Sequence, residues 1–178
     1  MKVLLLAGYS QTEDPENSFA LKELQGIKII DWQIGRLKAI CGEVVVVLGG
    51  TDSEELLRQS RLVREAELVF DTHGPEASPW TNLKAGLQHG PGWTFALDIL
   101  HPAPVGDLFQ RLHSEYLKAG LNMGSHIFCS TAHRSPWLIT RKGQRDIKSI
   151  SDFKGLSDER LNLVQLAEDS PPSAISLA

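Results

Sequence analysis

The first eight residues restrict the possible folds of this chain more than any other stretch. An uninterrupted apolar run from Val3 to Ala7 ends at Gly8, and the next ten residues show no hydrophobic period. A short apolar run that ends at a turn residue is typical of a strand buried on both faces, as in a parallel sheet. Open α/β sheets bind their ligands at the carboxyl ends of such strands. The sequence therefore predicts a binding loop directly after Gly8.

Strand-like and helix-like patterns alternate along the rest of the chain. After a first strand at 2–7, the predicted strands are Glu43–Leu48 and residues 66–70, 93–97, 127–129, 137–139 and 163–166. The predicted helices are residues 29–40, 52–60, 80–87, 108–117 and, with a looser pattern, 142–154. This alternation favours an α/β fold with a mostly parallel sheet. We expect the strands at 2–7, 43–48 and 93–97 to be adjacent and parallel in the middle of it.

Length and charge narrow the class of protein. A chain of 178 residues is expected to form one domain, residues 1–178, with a proper core. Its formal net charge of -4 argues against a nucleic-acid partner, because phosphate backbones are bound by basic surfaces. No apolar run reaches the roughly 18 residues of a membrane span, and the N-terminal run is too short for a signal peptide. Cys41 and Cys129 form no CxxC motif, so we expect no disulfide framework and a cytoplasmic protein.

Two segments near the N-terminus resemble a known family. Leu6-Ala7-Gly8 is followed, after the loop, by residues 20–30 with the sequence ALKELQGIKII. This arrangement resembles the opening of the MobA-like nucleotidyltransferases, which include the enzymes that attach GMP or CMP to molybdopterin. The resemblance implies a three-layer α/β/α sandwich, Rossmann-like and of the nucleotide-diphospho-sugar transferase type, with a mostly parallel sheet and one late antiparallel strand. It also implies nucleotidyl transfer from an NTP to a phosphorylated acceptor such as molybdopterin.

The same resemblance assigns residues to the nucleotide. Leu6-Ala7-Gly8 takes the place of the Gly-rich loop that wraps the triphosphate in the family. Residues 81–87, with the sequence TNLKAGL, resemble the S-S-L-x-x-G-L segment of the cytidylyltransferase branch, which lies against the base and ribose. Asn82 takes a serine position there and would hydrogen-bond a base or sugar. The alternative interpretation is a capped helix in which Gly86 allows close packing on the sheet.

Asp98 is the candidate metal ligand. Residues 95–102, FALDILHP, resemble the family's L-x-D-M-P segment, whose aspartate holds the catalytic Mg²⁺. An acid at the C-terminal end of a central strand lies at the ligand edge of the sheet, and Mg²⁺ suits one or two carboxylates with substrate phosphates and water. The alternative is an aspartate that caps the next turn. The family's later acids would fall at about Ala174 and Ser176, so the sequence lacks a second carboxylate there.

The opening loop departs from the family pattern in its charges. Tyr9 stands in place of the second glycine, Glu13 falls at or near the arginine position, and Phe19 takes the lysine position. Lys22, three positions late, is the nearest cation and would stand in for the lost one as a catalytic group. Because an anion cradle needs main-chain N–H groups, glycines and cations, we expect this loop to bind NTP weakly or not at all.

The sequence leaves two functional hypotheses open. In the first, the chain is an active MobA-like transferase that uses Asp98 and Mg²⁺ and releases pyrophosphate from an NTP. In the second, it is a non-catalytic relative on the same fold, an accessory protein in molybdenum-cofactor metabolism or elsewhere. Such a protein would bind a partner protein or a pterin-like ligand. Its pocket would be lined by the aromatic residues Tyr9, Phe19, Trp80 and Trp93.

Overall fold

A computed structural model describes residues 1–9, 15–88, 94–101, 107–119, 124–130 and 135–166. Within these ranges seven strands form one sheet and two short strands form a separate hairpin. The strands are β1 Lys2–Leu6, β2 Glu23–Leu24, β3 Ile27–Lys28, β4 Glu43–Leu48, β5 Glu67–Phe70, β6 Thr94–Asp98, β7 Ile127–Cys129, β8 Trp137–Ile139 and β9 Leu163–Gln165. The hairpin of β2 and β3 is the one strand pair in these ranges that the hydrophobic pattern did not predict.

Five of the six α-helices in the described ranges were predicted, and the short helix at Arg61–Arg64 was not. The six helices are α1 Ile29–Cys41, α2 Ser53–Gln59, α3 Arg61–Arg64, α4 Pro79–Leu87, α5 Asp107–Lys118 and α6 Arg141–Ser149. Helix α1 ends at Gly42, whose φ of 75° lies in the left-handed region that favours glycine. Helix α6 is shorter than predicted, because Ile150 adopts an extended conformation and Phe153 reaches the core from a turn. None of the helices in the described ranges combines the length and apolar character needed to cross a bilayer.

The central sheet has the order β5-β4-β1-β6-β8-β7-β9. Strand β1 pairs in parallel with β4 on one side and β6 on the other, so that Leu4 lies between Val45 and Ala96. This confirms the predicted central trio of strands, although Trp93 lies outside the described residues. Strand β8 runs antiparallel to both β6 and β7, which confirms the late antiparallel strand implied by the resemblance.

The sheet is covered on both faces, which gives the three layers. Successive side chains of a strand face opposite sides. Leu5 of β1 therefore belongs to a cluster with Ile30 and Ile34 of α1, while Leu4 belongs to a second cluster with Leu83 of α4 and Ile147 of α6. Full burial of such a side chain contributes about 1.5–3 kcal/mol to folding. The predicted α/β/α sandwich is confirmed.

Helix α4 lies especially close to the sheet. A Cβ atom added to Gly86 would lie 2.9 Å from Leu4 Cδ1 and 3.0 Å from Val47 Cγ2. The helix begins with a capping box, in which the Ser78 hydroxyl accepts a hydrogen bond from the main-chain N–H of Thr81 and the Thr81 hydroxyl accepts one from that of Ser78. Both features belong to the capped-helix interpretation of residues 81–87.

Candidate functional site

The carboxyl ends of four parallel strands meet at one edge of the sheet. Gly8, Gly49, Asp71 and Asp98 lie at or within two residues of the ends of β1, β4, β5 and β6. A Cβ on Gly8 would lie 2.2 Å from the carbonyl carbon of Leu48, and one on Gly49 would lie 2.4 Å from the carbonyl oxygen of Asp71. Main chain therefore packs against main chain across three successive turns. Gly8 is required by this packing alone, whether or not a ligand binds beside it.

The side-chain amide of Asn82 fixes the turn at Gly8 through hydrogen bonds. Its side chain is fully buried, and Oδ1 accepts a hydrogen bond of 2.8 Å from Gly8 N. Its Nδ2 donates to Gly8 O at 3.2 Å and to Asp71 Oδ2 at 2.8 Å. Both amide protons are thus used inside the protein. Asn82 acts on any ligand at this edge through the position of Gly8, and a direct bond to a base or sugar would require these contacts to break.

Leu6 and Ala7 form the end of the strand with their side chains in the core. Leu6 is fully buried, and its carbonyl oxygen accepts a hydrogen bond of 3.1 Å from Ile99 N. The main-chain N–H of Ala7 donates to Val47 O at 3.0 Å. These two residues, predicted as nucleotide contacts, therefore shape the edge of the sheet through the main chain.

Asp98 lies where the sequence predicted, at the end of a central strand, and one oxygen of its carboxylate is engaged within the protein. Oδ1 accepts a hydrogen bond from the Tyr9 hydroxyl and another, of 2.9 Å, from Leu100 N. Asp98 is 7% exposed and Tyr9 is 6% exposed. The bond to Leu100 is the turn-capping contact of the alternative interpretation. Burial, together with the nearby charges of Asp98 and Asp52, raises the pKa of Tyr9, so the phenol keeps its proton and donates a hydrogen bond to Asp98.

The arrangement around Asp98 is a poor fit for a divalent cation, because one oxygen of its carboxylate is already engaged. A cation beside Asp98 would have to compete with Tyr9 and Leu100 for Oδ1 or bind through Oδ2 alone. In the part of the chain that the structure describes, no group of three or more His, Cys, Asp or Glu side chains gathers around a common point. The positions of the family's later acids, Ala174 and Ser176, lie outside the described residues.

The turn that follows Asp98 is tightly braced. The buried Ser135 hydroxyl accepts a hydrogen bond of 2.9 Å from Asp98 N and lies 2.7 Å from His101 Nδ1. Gln33 of α1 donates its Nε2 to the carbonyl oxygens of Ile99, at 2.9 Å, and His101, at 2.6 Å. A rigid turn of this kind keeps the Asp98 side chain in place beneath Tyr9.

Asp52 is a second buried carboxylate near Tyr9. It is fully buried, its Oδ2 accepts a hydrogen bond of 2.5 Å from the Ser18 hydroxyl, and its Oδ1 has no partner among the described residues. Burial raises the pKa of Asp52, against the opposing effect of the Ser18 bond. Asp52 therefore connects the segment after the opening loop to the start of α2.

The residues of the opening loop are only partly described. Glu13 and Asp14 lie outside the described residues. Phe19 is half-buried and packs against the core that contains α1. Lys22 is exposed and follows a short 3₁₀ turn, Phe19–Leu21, and its ammonium group makes no hydrogen bond or ion pair with a described residue. The structure thus brings Asp98, Gly8 and Asn82 together at one edge and shows no contact between Lys22 and that group.

Sequence reasoning missed two members of this edge. Asp71 follows a predicted strand directly, so the rule that selected Asp98, an acid at a strand end, would have selected it too. Tyr9 was noted as the substitute for a glycine, but its bond to Asp98 joins residues 89 positions apart. No local pattern predicts that contact.

Comparisons with known proteins agree on the fold. No family model matches the sequence, and no curated protein sequence matches it. Among solved structures, molybdopterin-guanine dinucleotide biosynthesis protein A from Archaeoglobus fulgidus is 21% identical, with 83% of this chain and 71% of that chain covered and a TM-score of 0.60. Rv0371c from Mycobacterium tuberculosis is 13% identical, with 98% and 92% covered and a TM-score of 0.70.

Two further structures extend the comparison. The 2-C-methyl-D-erythritol 4-phosphate cytidylyltransferase from Thermus thermophilus is 10% identical, with 98% of this chain and 92% of that chain covered and a TM-score of 0.64. A second structure of Rv0371c is a complex with manganese. The resemblance inferred from the sequence is confirmed for the fold: this chain has the three-layer α/β/α fold of MobA and other nucleotidyltransferases.

Proposed function

We propose that this chain is a MobA-like relative that has lost metal-dependent nucleotidyl transfer and acts as a binding protein on the same fold. The lost reaction would have moved a nucleotide from an NTP to a phosphorylated acceptor such as molybdopterin. The observation that carries the proposal is the hydrogen bond from the Tyr9 hydroxyl to the Asp98 carboxylate, made between two buried side chains. Tyr9 stands where the family has a glycine, and Asp98 stands where the family holds Mg²⁺.

The Tyr9 bond competes directly with a cation. A hydrogen bond to a charged group contributes about 1.5–3 kcal/mol. A cation that displaces Tyr9 from Asp98 gives up that contribution, which corresponds to roughly a tenfold to hundredfold loss of affinity. The phenol would also have to leave its buried position against the core that contains α1. Mg²⁺, which gives up its water ligands reluctantly, is a weak competitor for such a site.

The opening segment also offers few groups that could bind the phosphates of an NTP. The sequence contains no Lys or Arg between Lys2 and Lys22. The main-chain N–H of Gly8, the one glycine left from the family loop, donates to Asn82 Oδ1 and is not available to a phosphate oxygen. Nucleotidyl transfer depends on positioning and neutralising the phosphates, and removing one such donor can cost on the order of 10²–10³ in rate.

An active transferase is the alternative, and the retention of Asp98 at the end of β6 favours it. In that case Asp98 would hold Mg²⁺, through Oδ2 or after Tyr9 releases Oδ1, and Lys22 would neutralise the phosphates. The partners would then be an NTP and a phosphorylated small molecule. In the binding role that we propose, the partner is a small ligand or another protein.

Manganese binding separates the two functions. Mn²⁺ titrations followed by electron paramagnetic resonance would compare the wild type with Tyr9→Phe, which keeps the ring and removes the hydroxyl. We expect weak binding by the wild type and at least tenfold tighter binding by Tyr9→Phe, abolished again when Asp98→Asn is added. Tyr116→Phe is the matched control, because Tyr116 packs edge-on against Phe128, 5.9 Å away, on another part of the sheet.

Activity provides the second arm of the test. Each NTP would be titrated with Mg²⁺ by calorimetry, and pyrophosphate release would be measured with a phosphorylated acceptor. Tight Mg²⁺-dependent NTP binding by the wild type, together with pyrophosphate release that Asp98→Asn abolishes, would overturn the proposal and establish the enzyme.

A further inference from the structure

A cleft of about 240 Å³ lies between the end of β5, helix α4 and the segment that follows α6. It opens on the flank of α4, beside the carboxyl edge of the sheet. Its walls combine aromatic rings, Trp80 and Phe153, with polar groups of His73, Lys84 and Ser151. Binding sites for drug-sized ligands typically measure about 300–1,000 Å³, so an occupant of this cleft must be small.

The aromatic wall of the cleft is held in place by packing between rings. The Trp80 ring lies 5.3 Å from the Trp137 ring and 6.1 Å, edge to face, from the Phe153 ring. Behind it, a Cβ on Gly155 would lie 2.8 Å from Trp80 Cε2, so the chain passes directly against the indole. Trp80 is only partly buried. Because the indole is fixed from behind, a flat ring can stack on it without first ordering it.

Lys84 supplies a positive charge to the cleft. Its Nζ donates a hydrogen bond of 2.5 Å to the carbonyl oxygen of Ile150, which holds the flexible side chain in one place. No carboxylate of the described residues forms an ion pair with it, although the chain has a net charge of -4. An ammonium group has three donors. Lys84 therefore keeps donors for an anion that enters the cleft.

His73, another residue that lines the cleft, is oriented by Asp71. Its ring Nδ1 and its main-chain N–H both bond to Asp71 Oδ1, the main-chain bond being 3.0 Å long. The Asp71 side chain is 1% exposed. Burial pushes the pKa of Asp71 up, but hydrogen bonds from Thr81, His73 and Asn82 outweigh it and hold that pKa below its usual value. Asp71 therefore stays ionised and accepts a hydrogen bond from Nδ1–H, and in this tautomer Nε2 can accept a hydrogen bond but not donate one.

We propose that this cleft binds a small aromatic anion, a single flat ring that carries one phosphate or carboxylate group. The ring lies on Trp80, and the anionic group accepts hydrogen bonds from the Lys84 ammonium. This inference rests on the proposed binding function and names the chemistry of its ligand. Asp71 bonds to both His73 and Asn82, so the cleft shares a side chain with the Gly8 turn.

Calorimetry with split probes tests the proposal. Phenyl phosphate contains both halves of the ligand, whereas inorganic phosphate and benzyl alcohol contain one half each. We expect phenyl phosphate to bind the wild type at least tenfold more tightly than either half. Benzoate in a parallel titration decides between phosphate and carboxylate as the preferred group. EDTA is present throughout, so that binding does not depend on a metal at Asp98.

Two variants locate the site. Lys84→Met keeps most of the side-chain volume and removes the charge, and we expect it to weaken phenyl phosphate at least tenfold while benzyl alcohol binding stays the same. Lys118→Met is the control, because Lys118 is exposed on α5 and pairs with Glu115, and it should leave all probes unchanged. Thermal melting of each variant checks that it is folded.

The results distinguish this proposal from the proposed function. If phenyl phosphate binds no more tightly than inorganic phosphate, or if folded Lys84→Met binds it like the wild type, the cleft proposal is overturned. Metal-dependent transfer by the wild type would overturn the proposed function instead. Quenching of tryptophan fluorescence by phenyl phosphate, reduced in Trp80→Phe, would support stacking on Trp80.

Discussion

The side-chain amide of Asn82 pairs with the main chain of Gly8 through two hydrogen bonds, as one residue of a strand pairs with another. The pair is buried, and it joins helix α4 to the end of the central strand β1. Asn82 therefore takes the place of a main-chain neighbour at a turn where the sheet itself has ended.

Asn82→Ala should destabilise the protein by about 2–4 kcal/mol, because it leaves buried polar groups of Gly8 without partners. Urea denaturation with and without the substitution measures this. Asn162→Ala is the control: Asn162 is exposed, and we expect its removal to change stability by no more than about 0.5 kcal/mol. Equal effects of the two substitutions would contradict the bracing role of Asn82.

Gly8→Ala and Gly35→Ala should have opposite effects. The added methyl group at Gly8 meets the main chain of Leu48 and Gly49, and overpacking of this kind costs about 1–3 kcal/mol. Gly35 lies in the exposed interior of α1 with nothing within 4 Å of its added Cβ, so alanine there should stabilise by about 0.5–1 kcal/mol. Chemical denaturation of both variants checks the signs, and a neutral Gly8→Ala would show that the turns are not closely packed.

Restoring the family's cations should restore NTP affinity. Glu13→Arg combined with Phe19→Lys removes one negative charge and adds two positive ones, and close charge pairs near a protein surface are worth roughly 4 kcal/mol at 4 Å. We expect tighter NTP binding by calorimetry, with a larger gain at low salt because exposed charges are screened. Glu159→Arg with Leu117→Lys makes the same charge change at exposed positions and should not reproduce the gain.

Substitution of Lys22 tests whether this residue already supplies a cation to the phosphates of a bound NTP. Micromolar NTP binding by the wild type, lost in Lys22→Ala, would show that Lys22 already reaches the phosphates. That result would favour the active enzyme.

The stability that Asp71 contributes should depend on pH in a defined direction. Its pKa in the folded protein lies below the usual value of 3.8, so the ionised form is the one that folding favours. The contribution is fully present above pH 3.8 and is lost as the pH falls through the folded-state pKa. Melting temperatures of Asp71→Asn and the wild type should therefore differ at pH 7 and converge below pH 3.8. A constant difference across this range would show that the charge of Asp71 does not matter.

The sequence predicted the architecture well because the signals for it are local. The apolar run of β1, the β-branched run of β4 and the helical spacing of α1 each follow from a few neighbouring residues. The position of Asp98 at the ligand edge followed from a general rule about strand ends. Periodicity alone was enough for these elements.

The interactions within the candidate site were harder to predict because they join distant residues. The bonds of Tyr9 to Asp98 and of Asn82 to Gly8 depend on which strands become neighbours and on how deeply each side chain is buried. For the cleft beside Trp80, the sequence predicted only that Trp80 would line a pocket. Its polar partners, His73 and Lys84, come from different elements and share no motif.

The order of the strands also bears on how the chain folds. Strand β1 is synthesised before β4 and β6, and β4 can pair with one of its edges early. The other edge of β1 pairs with β6, where Leu4 lies opposite Ala96. This second pairing cannot form until β6 has been synthesised. Until then an apolar strand keeps an open edge, which is a known hazard for association between chains. A nascent chain released before β6 should therefore be far more prone to aggregate than one released after it, and folding of the whole protein should be slow for its size because its central contacts are non-local.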